Sequence, residues 1–295
     1  MQIQKGTIFL STLTLMKGKE IAEFLREEIT KDIELLAEKG IKCGMAAIRV
    51  GERPDAVSYE RATMKWLDKL NIECTAFTYD ENISKDDFLS EIEKINNMEN
   101  IHGMLLFRPI PKELDTGEME YAISPIKDID GMNPVNFGKI CSQDDTGYAP
   151  CTAEAVMEIL KFHKIELTGK KVVVLGRSMV IGRPVSMLLL NENATVTICH
   201  SRTKDLASIC READIIIAAI GKASFVTGEF VKDGAIVVDV GINVSEEGKI
   251  VGDVDFESVA PKCSYITPVP GGVGSVTNAV LARHIVKAAK HSHGF

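Results

Sequence analysis

The sequence predicts an α/β protein of two domains, an N-terminal α/β domain and a C-terminal Rossmann-like domain with a doubly wound parallel sheet, with a cleft between them. Apolar strand-length runs alternate with helix-length segments of 10 to 20 residues. This alternation is typical of a parallel sheet covered by helices on both faces. It stops in a segment rich in Pro, Gly and Asp between positions 124 and 152, and then restarts. A chain of 295 residues is also long enough to divide into two cores.

The first half of the chain opens with an amphipathic helix. Apolar residues from Ile21 to Leu36 recur at helical spacing, and Gly40 ends the pattern. The segments that follow alternate between strand and helix. The predicted strands are 43–50, 74–78 and 103–106, and the predicted helices are 55–70 and 85–96.

The second half begins after a domain boundary that we place near Pro150. Its predicted strands are 171–175, 195–199, 215–219 and 236–240. A final helix over 279–290 follows a turn-rich segment at 268–274. This spacing is that of a Rossmann-like unit followed by one additional helix.

Charge and cysteine content exclude several classes of function. The formal net charge of −8 leaves no general positive field to attract nucleic acid or an anionic membrane. The seven cysteines are odd in number and form neither a CxxC pair nor a metal-ligand spacing. We therefore expect a reduced, cytoplasmic protein with no metal site, no nucleic-acid partner and no membrane partner.

The N-terminus contains an uncharged run over positions 6–16. It is shorter than the roughly 18 residues of a membrane span, and no small-x-small cleavage site follows it. We expect a loosely ordered extension over the first fifteen residues.

A candidate phosphate-binding loop follows the first strand of the second half. That strand runs into Gly176, Arg177 and Ser178, and Gly182 lies just before a helix that Arg183 and Pro184 open. Glycine lets the backbone approach a pyrophosphate, and a helix N-terminus offers unpaired N–H groups to it. The second glycine of the usual GxGxxG pattern is missing, so a dinucleotide loop and a plain tight turn both remain open.

The end of the next strand favours NADP over NAD. NAD-preferring sites usually place an acidic residue there for the ribose 2′-hydroxyl, whereas this chain has Ser201 and Arg202. Together with Arg177, these side chains suit a 2′-phosphate, because a guanidinium donates two charge-assisted hydrogen bonds to phosphate oxygens. The alternative is that Arg202 is a solvated turn residue.

Seven motifs lie in a fixed order over most of the chain. They are KDIDG at 127–131, PCT at 150–152, GKKVVVLGRS at 169–178, CHS at 199–201, DVGIN at 239–243, GDVD at 252–255 and TPVPGGVG at 267–274. Each is weak alone, but the ordered set resembles the FolD-type family of bifunctional methylenetetrahydrofolate dehydrogenase/methenyltetrahydrofolate cyclohydrolases.

The resemblance implies an oxidoreductase of one-carbon metabolism. A folate-binding catalytic domain would span 1–150 together with the C-terminal helix 275–295, and a Rossmann-like NADP-binding domain would span 151–274. The substrates would be one-carbon derivatives of tetrahydrofolate. Hydride would pass from the methylene carbon of 5,10-methylenetetrahydrofolate to the nicotinamide of NADP. A homodimer is also implied.

The resemblance also implies roles for particular residues. Asp130 would hydrogen-bond the pterin, and Tyr59 would stack on the folate. The loop that closes over the ligand comprises Pro270, Gly271, Gly272, Val273 and Gly274. The residues beside the cofactor are Thr152 and Ile242 at the nicotinamide, and Gly176, Arg177, Ser178 and Ser201 at the phosphates. Asp130 and Tyr59 each also have an alternative without a ligand. Asp130 could cap a turn, and Tyr59 could be a core aromatic residue.

Two positions depart from the family pattern. The family's cyclohydrolase lysine lies four residues after the tyrosine, where this chain has Thr63, and its glutamine partner is replaced by Phe107. Lys65 does not substitute, because it points about 200° away from Thr63 around the helix. Threonine offers no amine of tunable pKa, and phenylalanine makes no conventional hydrogen bond. We therefore predict that hydride transfer survives while cyclohydrolase activity is weak or lost.

Two other functions remain open at this point. The first is a non-catalytic folate/NADP-binding paralogue, which Thr63 and Phe107 favour and the intact loops at 176–178 and 270–274 oppose. The second is a dehydrogenase for a different small substrate, which the retained Asp130 opposes.

Overall fold

The computed structural model describes residues 13–245 and 247–295. The helices are α1 (Gly18–Glu38), α2 (Pro54–Asp68), α3 (Lys85–Asn96), α4 (Met119–Ala122), α5 (Pro134–Cys141), α6 (Cys151–Phe162), α7 (Gly182–Asn191), α8 (Leu206–Arg211), α9 (Phe256–Val259) and α10 (Thr277–Ser292). The strands are β1 (Thr14–Leu15), β2 (Gly44–Val50), β3 (Glu73–Tyr79), β4 (Gly103–Leu106), β5 (Lys171–Leu175), β6 (Thr195–Cys199), β7 (Ile215–Ala218), β8 (Ala235–Asp239), β9 (Asn243–Val244), β10 (Ile250–Val251) and β11 (Cys263–Ile266). The predicted two-domain α/β class is confirmed.

The first sheet has three parallel strands in the order β3-β2-β4. Every residue of β2 is buried, as expected of the central strand. Arg49 on this strand is itself buried, and its Nε donates to Glu60 Oε2 on α2 at 2.7 Å. This ion pair fixes α2, the helix that carries Tyr59 and Thr63, against the sheet.

The second sheet has six parallel strands in the order β1-β11-β8-β7-β5-β6. After β5 the chain first adds β6 on one side and then β7 on the other. Open α/β sheets bind ligands at the carboxyl ends of strands at such a switch point. The loop after β5, which begins at Gly176, therefore lies where a cofactor is expected.

Most predicted elements are found with their predicted bounds or within a few residues of them. Strands 103–106, 171–175 and 195–199 and helix 85–96 are confirmed residue for residue. The sequence patterns missed β11, the β9–β10 hairpin and three helices, which are α4, α5 inside the Pro- and Gly-rich segment, and α6.

The expectation of a loose N-terminal extension is wrong for Thr14 and Leu15. These residues form β1, which pairs in parallel with Tyr265 and Ile266 of β11. Residues 1–12 of the expected extension lie outside the described residues. Thr14 and Leu15 are ordered because their backbone groups pair with the edge strand β11, and two residues are enough for such a pairing.

The last helix joins the two halves of the molecule. α10 packs against α1 and α6 and against the β2 and β4 strands of the first sheet. Its buried face contributes Val280, Ala282 and Ile285 to the largest apolar core, which reaches both sheets. Within the described residues, no helix combines the length and apolar character that crossing a bilayer requires.

Candidate functional site

The loop after β5 requires a glycine at its first position. Gly176 has φ of +125°, and a Cβ there would overlap the carbonyl oxygen of Ala219 at the end of β7. Ser178 Oγ accepts the Ile181 N–H at 3.2 Å and fixes the turn into α7. The loop therefore presents backbone close to any ligand above the sheet.

A cavity of about 320 Å³ opens beside this loop. Its lining includes Arg177 and Ser178, Ser201 after β6, and Lys222 and Phe225 after β7. Two cations and no carboxylate line the cavity. This donor set fits the phosphates of a dinucleotide, including a 2′-phosphate on the adenosine ribose. Arg202 is exposed and lies outside this lining, as the solvated-turn interpretation has it.

Asp130 lies in a tight turn over residues 128–131, which we call the Asp130 turn. The buried carboxylate of Asp128 organises it by accepting the backbone N–H of Asn133 at 2.8 Å and the side-chain amide of Asn136 at 2.8 Å. Gly131 has φ of +64°, and a Cβ there would overlap the backbone of Ala149. Glycine at position 131 is thus required by the turn itself.

The environment of Asp130 raises the pKa of its carboxyl. Burial and the neighbouring charge of Asp128 raise its pKa to about 6, while hydrogen bonding from Cys151 and the charge of His284 partly oppose this rise. Cys151 is the first residue of α6, so the carboxyl faces a helix N-terminus. Near neutral pH the group is an acceptor for N–H donors such as those of a pterin edge.

Tyr59, Thr63 and Phe107 come together on one side of α2. The Tyr59 ring is half-exposed, and partial burial of its hydroxyl, with the nearby charge of Asp130, raises its pKa to about 12. Phe107 is buried and meets the Tyr59 ring edge to face. The Thr63 side chain is fully buried, and its hydroxyl has no hydrogen-bond partner within the described residues. The structure thus brings together the tyrosine and both departures from the family pattern.

Two cationic side chains lie near Thr63 in the sequence or the fold, but neither points toward it. Lys65 is exposed and lines a surface groove between α1, α2 and β3. Arg108 follows Phe107 but binds Asp115 at 2.7 Å on the surface. Neither side chain replaces an amine at Thr63.

The glycine-rich segment 270–274 is anchored at one end and exposed at the other. The Gly18 N–H at the start of α1 donates to the Gly271 carbonyl at 2.9 Å, and Val273 is buried. Gly274 is exposed and lies beside the Ile242 side chain, which is 69% exposed. An exposed apolar side chain next to an exposed glycine provides a surface on which a flat ring can lie.

Thr152 connects this region to the Asp130 turn. It is half-buried and follows Cys151 directly at the N-terminus of α6. The residue expected at the nicotinamide is therefore the chain neighbour of one that contacts Asp130. Thr152 and the Asp130 turn thus lie at this helix end, while the dinucleotide cavity lies at the carboxyl ends of β5, β6 and β7.

Sequence reasoning missed several residues of the site. Lys222 belongs to no motif and reaches the cofactor cavity only through the fold. Glu154 and Arg283, both half-buried, and the buried His284 form a hydrogen-bonded group behind the Asp130 turn. In the sequence, Arg283 and His284 are two polar residues in an amphipathic helix, with no spacing that marks them. No cluster of three or more His, Cys, Asp or Glu suited to a metal occurs among residues 13–245 and 247–295.

The doubly wound sheet, the glycine loop after β5 and the cationic cavity beside it define a dinucleotide-binding α/β protein of the dehydrogenase class. Two family models match the chain. The catalytic domain of tetrahydrofolate dehydrogenase/cyclohydrolase matches residues 16–130, and its NAD(P)-binding domain matches residues 150–293. The chain therefore belongs to the tetrahydrofolate dehydrogenase/cyclohydrolase family, as its motifs predict.

Individual proteins agree with this assignment. The bifunctional protein FolD of Alkaliphilus oremlandii is 49% identical over 279 residues, which is 95% of this chain and 98% of that protein. The bifunctional FolD of Campylobacter jejuni has a crystal structure that matches with a TM-score of 0.93 at 41% identity, covering 95% of this chain and 99% of that one. The Trypanosoma brucei FolD structure, complexed with NADP cofactor and inhibitor, matches with a TM-score of 0.89 at 35% identity, covering 96% and 99%.

Proposed function

We propose that this chain is an NADP-dependent 5,10-methylenetetrahydrofolate dehydrogenase of one-carbon metabolism. The observation that carries the proposal is the contact of the Asp130 turn with Cys151, whose Sγ donates to the Ile129 carbonyl oxygen at 3.4 Å, directly beside Thr152. It supports a pterin acceptor and a nicotinamide neighbour at one helix end. Family membership supplies the reaction class, and the cavity with Arg177, Ser201 and Lys222 supports NADP as the cofactor.

Hydride transfer demands little acid–base chemistry of the protein. When bound, NADP supplies the nicotinamide ring that accepts the hydride. The methylene carbon loses a hydrogen with its electron pair, and the lone pairs of N5 and N10 stabilise the resulting cation. The chain has to hold the donor and acceptor carbons at near-attack distance. In this proposal Asp130 fixes the pterin, Tyr59 stacks on the folate, and Ile242 and segment 270–274 support the rings.

We further propose that cyclohydrolase activity is weak or lost. Opening of the methenyl bridge requires water addition and proton handling, and a positioned acid–base group contributes about 10² to 10⁴-fold to such steps. The position of the family's lysine holds the buried Thr63 hydroxyl, and the position of its glutamine holds the Phe107 ring.

One spectrophotometric experiment tests both parts. Methylenetetrahydrofolate is supplied with NADP or with NAD, and NADPH or NADH and the methenyl product are followed together. We expect reduced cofactor with NADP and a build-up of methenyltetrahydrofolate. In a second cuvette, methenyltetrahydrofolate alone is supplied. Its disappearance near the dehydrogenase rate would contradict loss of the second activity.

The second candidate is a folate/NADP-binding paralogue without catalysis, and the two substitutions at Thr63 and Phe107 favour it. Calorimetric binding of methylenetetrahydrofolate and NADP without NADPH formation would decide for this candidate. Formation of NADPH from methylenetetrahydrofolate would instead support the dehydrogenase.

We also propose a domain division, a homodimeric assembly and a cytoplasmic location for this chain. Residues 1–150 with helix 275–295 form the folate-binding domain, and residues 151–274 form the NADP-binding domain. The chain assembles as a homodimer, which light scattering after size exclusion tests directly. All seven cysteines are free, which supports a reducing compartment such as the cytoplasm.

A further inference from the structure

A buried histidine of the last helix connects the two ligand positions. His284 on α10 is 3% exposed. Its Nδ1 lies 2.7 Å from the carbonyl oxygen of Ile129, the residue before Asp130. Its Nε2 lies 2.8 Å from Glu154 Oε2, two residues after Thr152. One imidazole therefore joins the turn that carries Asp130 to the helix that carries Thr152.

Both contacts require the imidazole to donate. A backbone carbonyl oxygen can only accept. Arg283 donates to Oε1 of Glu154, so this group is a carboxylate and its Oε2 also only accepts. An imidazole that satisfies two acceptors carries hydrogen on both ring nitrogens.

The end of this connection on α6 is rigidly held. Arg283 Nη2 lies 2.5 Å from Glu154 Oε1 and 3.0 Å from Glu158 Oε1. The other nearby cation of α10, Lys287, is turned to the carbonyl of Gly147. Glu154 is thus fixed by a guanidinium and remains available to the imidazole.

The end at the Asp130 turn is enclosed as well. Cys151 Sγ lies 3.8 Å from His284 Nδ1, and the Tyr148 ring packs edge-on with its centroid 5.3 Å from that of the imidazole. The carboxyls of Asp128 and Asp130 lie on this side, where burial raises the pKa of each and the neighbouring His284 opposes that rise. The imidazole has no room to swing away from the turn.

We propose that His284 is a positioning residue that sets the separation of the Asp130 turn from Thr152, and with it the distance between the hydride donor and the nicotinamide. This inference rests on the proposed dehydrogenase function. His284 is buried behind the turn and acts through Ile129 and Glu154. Hydride transfer is sensitive to such placement, since a shift of about 1 Å in a reacting group can cost on the order of 10²-fold in rate.

Two variants each retain one of the two contacts. The amide nitrogen of Asn lies near the Nδ1 position of His, whereas that of Gln lies near the Nε2 position. His284→Asn therefore keeps the contact to the turn, and His284→Gln keeps the contact to α6. If the imidazole fixes a separation, both variants lower kcat by about 10- to 10²-fold, change KM less, and raise the deuterium isotope effect measured with substrate deuterated at the methylene carbon. His291→Asn, at the exposed end of the same helix, is the matched control and leaves all three quantities unchanged.

The outcomes separate this inference from the proposed function. NADP affinity and far-UV circular dichroism establish that each variant is folded. A folded variant of either kind with the kcat and isotope effect of the unaltered protein overturns the role of His284 but leaves the dehydrogenase intact. An unaltered protein that forms no NADPH from methylenetetrahydrofolate overturns both.

A spectroscopic measurement tests the geometry without any variant having to fold. In protein labelled with ¹⁵N-histidine, both ring nitrogens of His284 are expected to carry hydrogen at pH 7. A ring nitrogen of His284 without hydrogen would mean that one contact is not a donated hydrogen bond, and this would overturn the proposal.

Discussion

The rings of Tyr59 and Phe107 meet edge to face, with centroids 5.5 Å apart and planes at 89°. The space beside the tyrosine that an amide would occupy is therefore filled by hydrocarbon. Thr63 lies four residues after Tyr59, with a buried hydroxyl that has no partner among the described residues. An apolar contact has replaced the hydrogen-bonding pair that the resemblance implies at these positions.

The first prediction concerns Thr63→Lys. We expect methenyltetrahydrofolate hydrolysis to stay within about three-fold of the unaltered protein, because a new ammonium at a fully buried site next to Phe107 is desolvated and has no acceptor. The double variant Thr63→Lys/Phe107→Gln supplies that acceptor, and we expect it to raise the rate by about 10²-fold. The rate is read from loss of the methenyl absorbance. Lys65→Met is the control, and full rescue by Thr63→Lys alone would contradict the argument.

The second prediction concerns pH and folate binding. Burial raises the pKa of Asp130 to about 6, and in the proposed site this residue binds pterin N–H groups as a carboxylate. We therefore expect KM for methylenetetrahydrofolate to rise as the pH falls through 6, while KM for NADP stays flat. Initial-rate measurements between pH 5 and 8 check this. In Asp130→Asn the folate KM should be higher and independent of pH, and an unchanged pH profile would remove Asp130 from the folate site.

The third prediction is that Asp130→Asn stabilises the fold at neutral pH. Because the folded-state pKa lies above the ordinary value of 3.8, the folded chain binds a proton between pH 3.8 and 6 that the unfolded chain has released. The ionised carboxyl therefore destabilises the fold as the pH rises through this window. We expect a gain of about 3 kcal/mol in the free energy of unfolding at pH 7 and less than about 1 kcal/mol at pH 4. Thermal melts at the two pH values measure it, and equal gains at both would point to another cause.

The fourth prediction concerns cofactor choice. Arg177 lines the cofactor cavity, whereas Arg202 does not. We expect Arg177→Met to raise KM for NADP by about 10- to 10²-fold, because a charge-assisted hydrogen bond to phosphate contributes about 1.5 to 3 kcal/mol. KM for NAD should change little. Arg202→Met is the matched control, and a larger effect from that variant would move the 2′-phosphate to the other arginine.

The fold was largely predictable because its signals are local. Strand 171–175 is an unbroken apolar run that ends at a glycine, and helix 85–96 begins at Ser84, whose side chain accepts the Asp87 N–H. β1 was not predictable, because two residues carry no periodicity and their pairing depends on the edge that β11 offers.

The candidate site was predictable only where chemistry follows a motif. Asp130 precedes Gly131, whose positive φ the turn requires, so the turn that carries Asp130 is visible in the sequence. His284 and Lys222 acquire their positions from tertiary packing. His284 meets Ile129 across 155 positions of the chain, and no pattern within one helix signals such a contact.

The short strand β1 has a practical consequence. It leads through Met16 directly into α1, whose first amide binds the Gly271 carbonyl. Truncating the protein to the start of α1 would remove β1 and leave the edge of β11 unpaired. It would also loosen the start of α1, to which segment 270–274 is anchored. An unpaired strand edge can pair with other chains. Such a truncated protein is therefore expected to aggregate and to bind its ligands more weakly. A purification tag is better attached at Phe295.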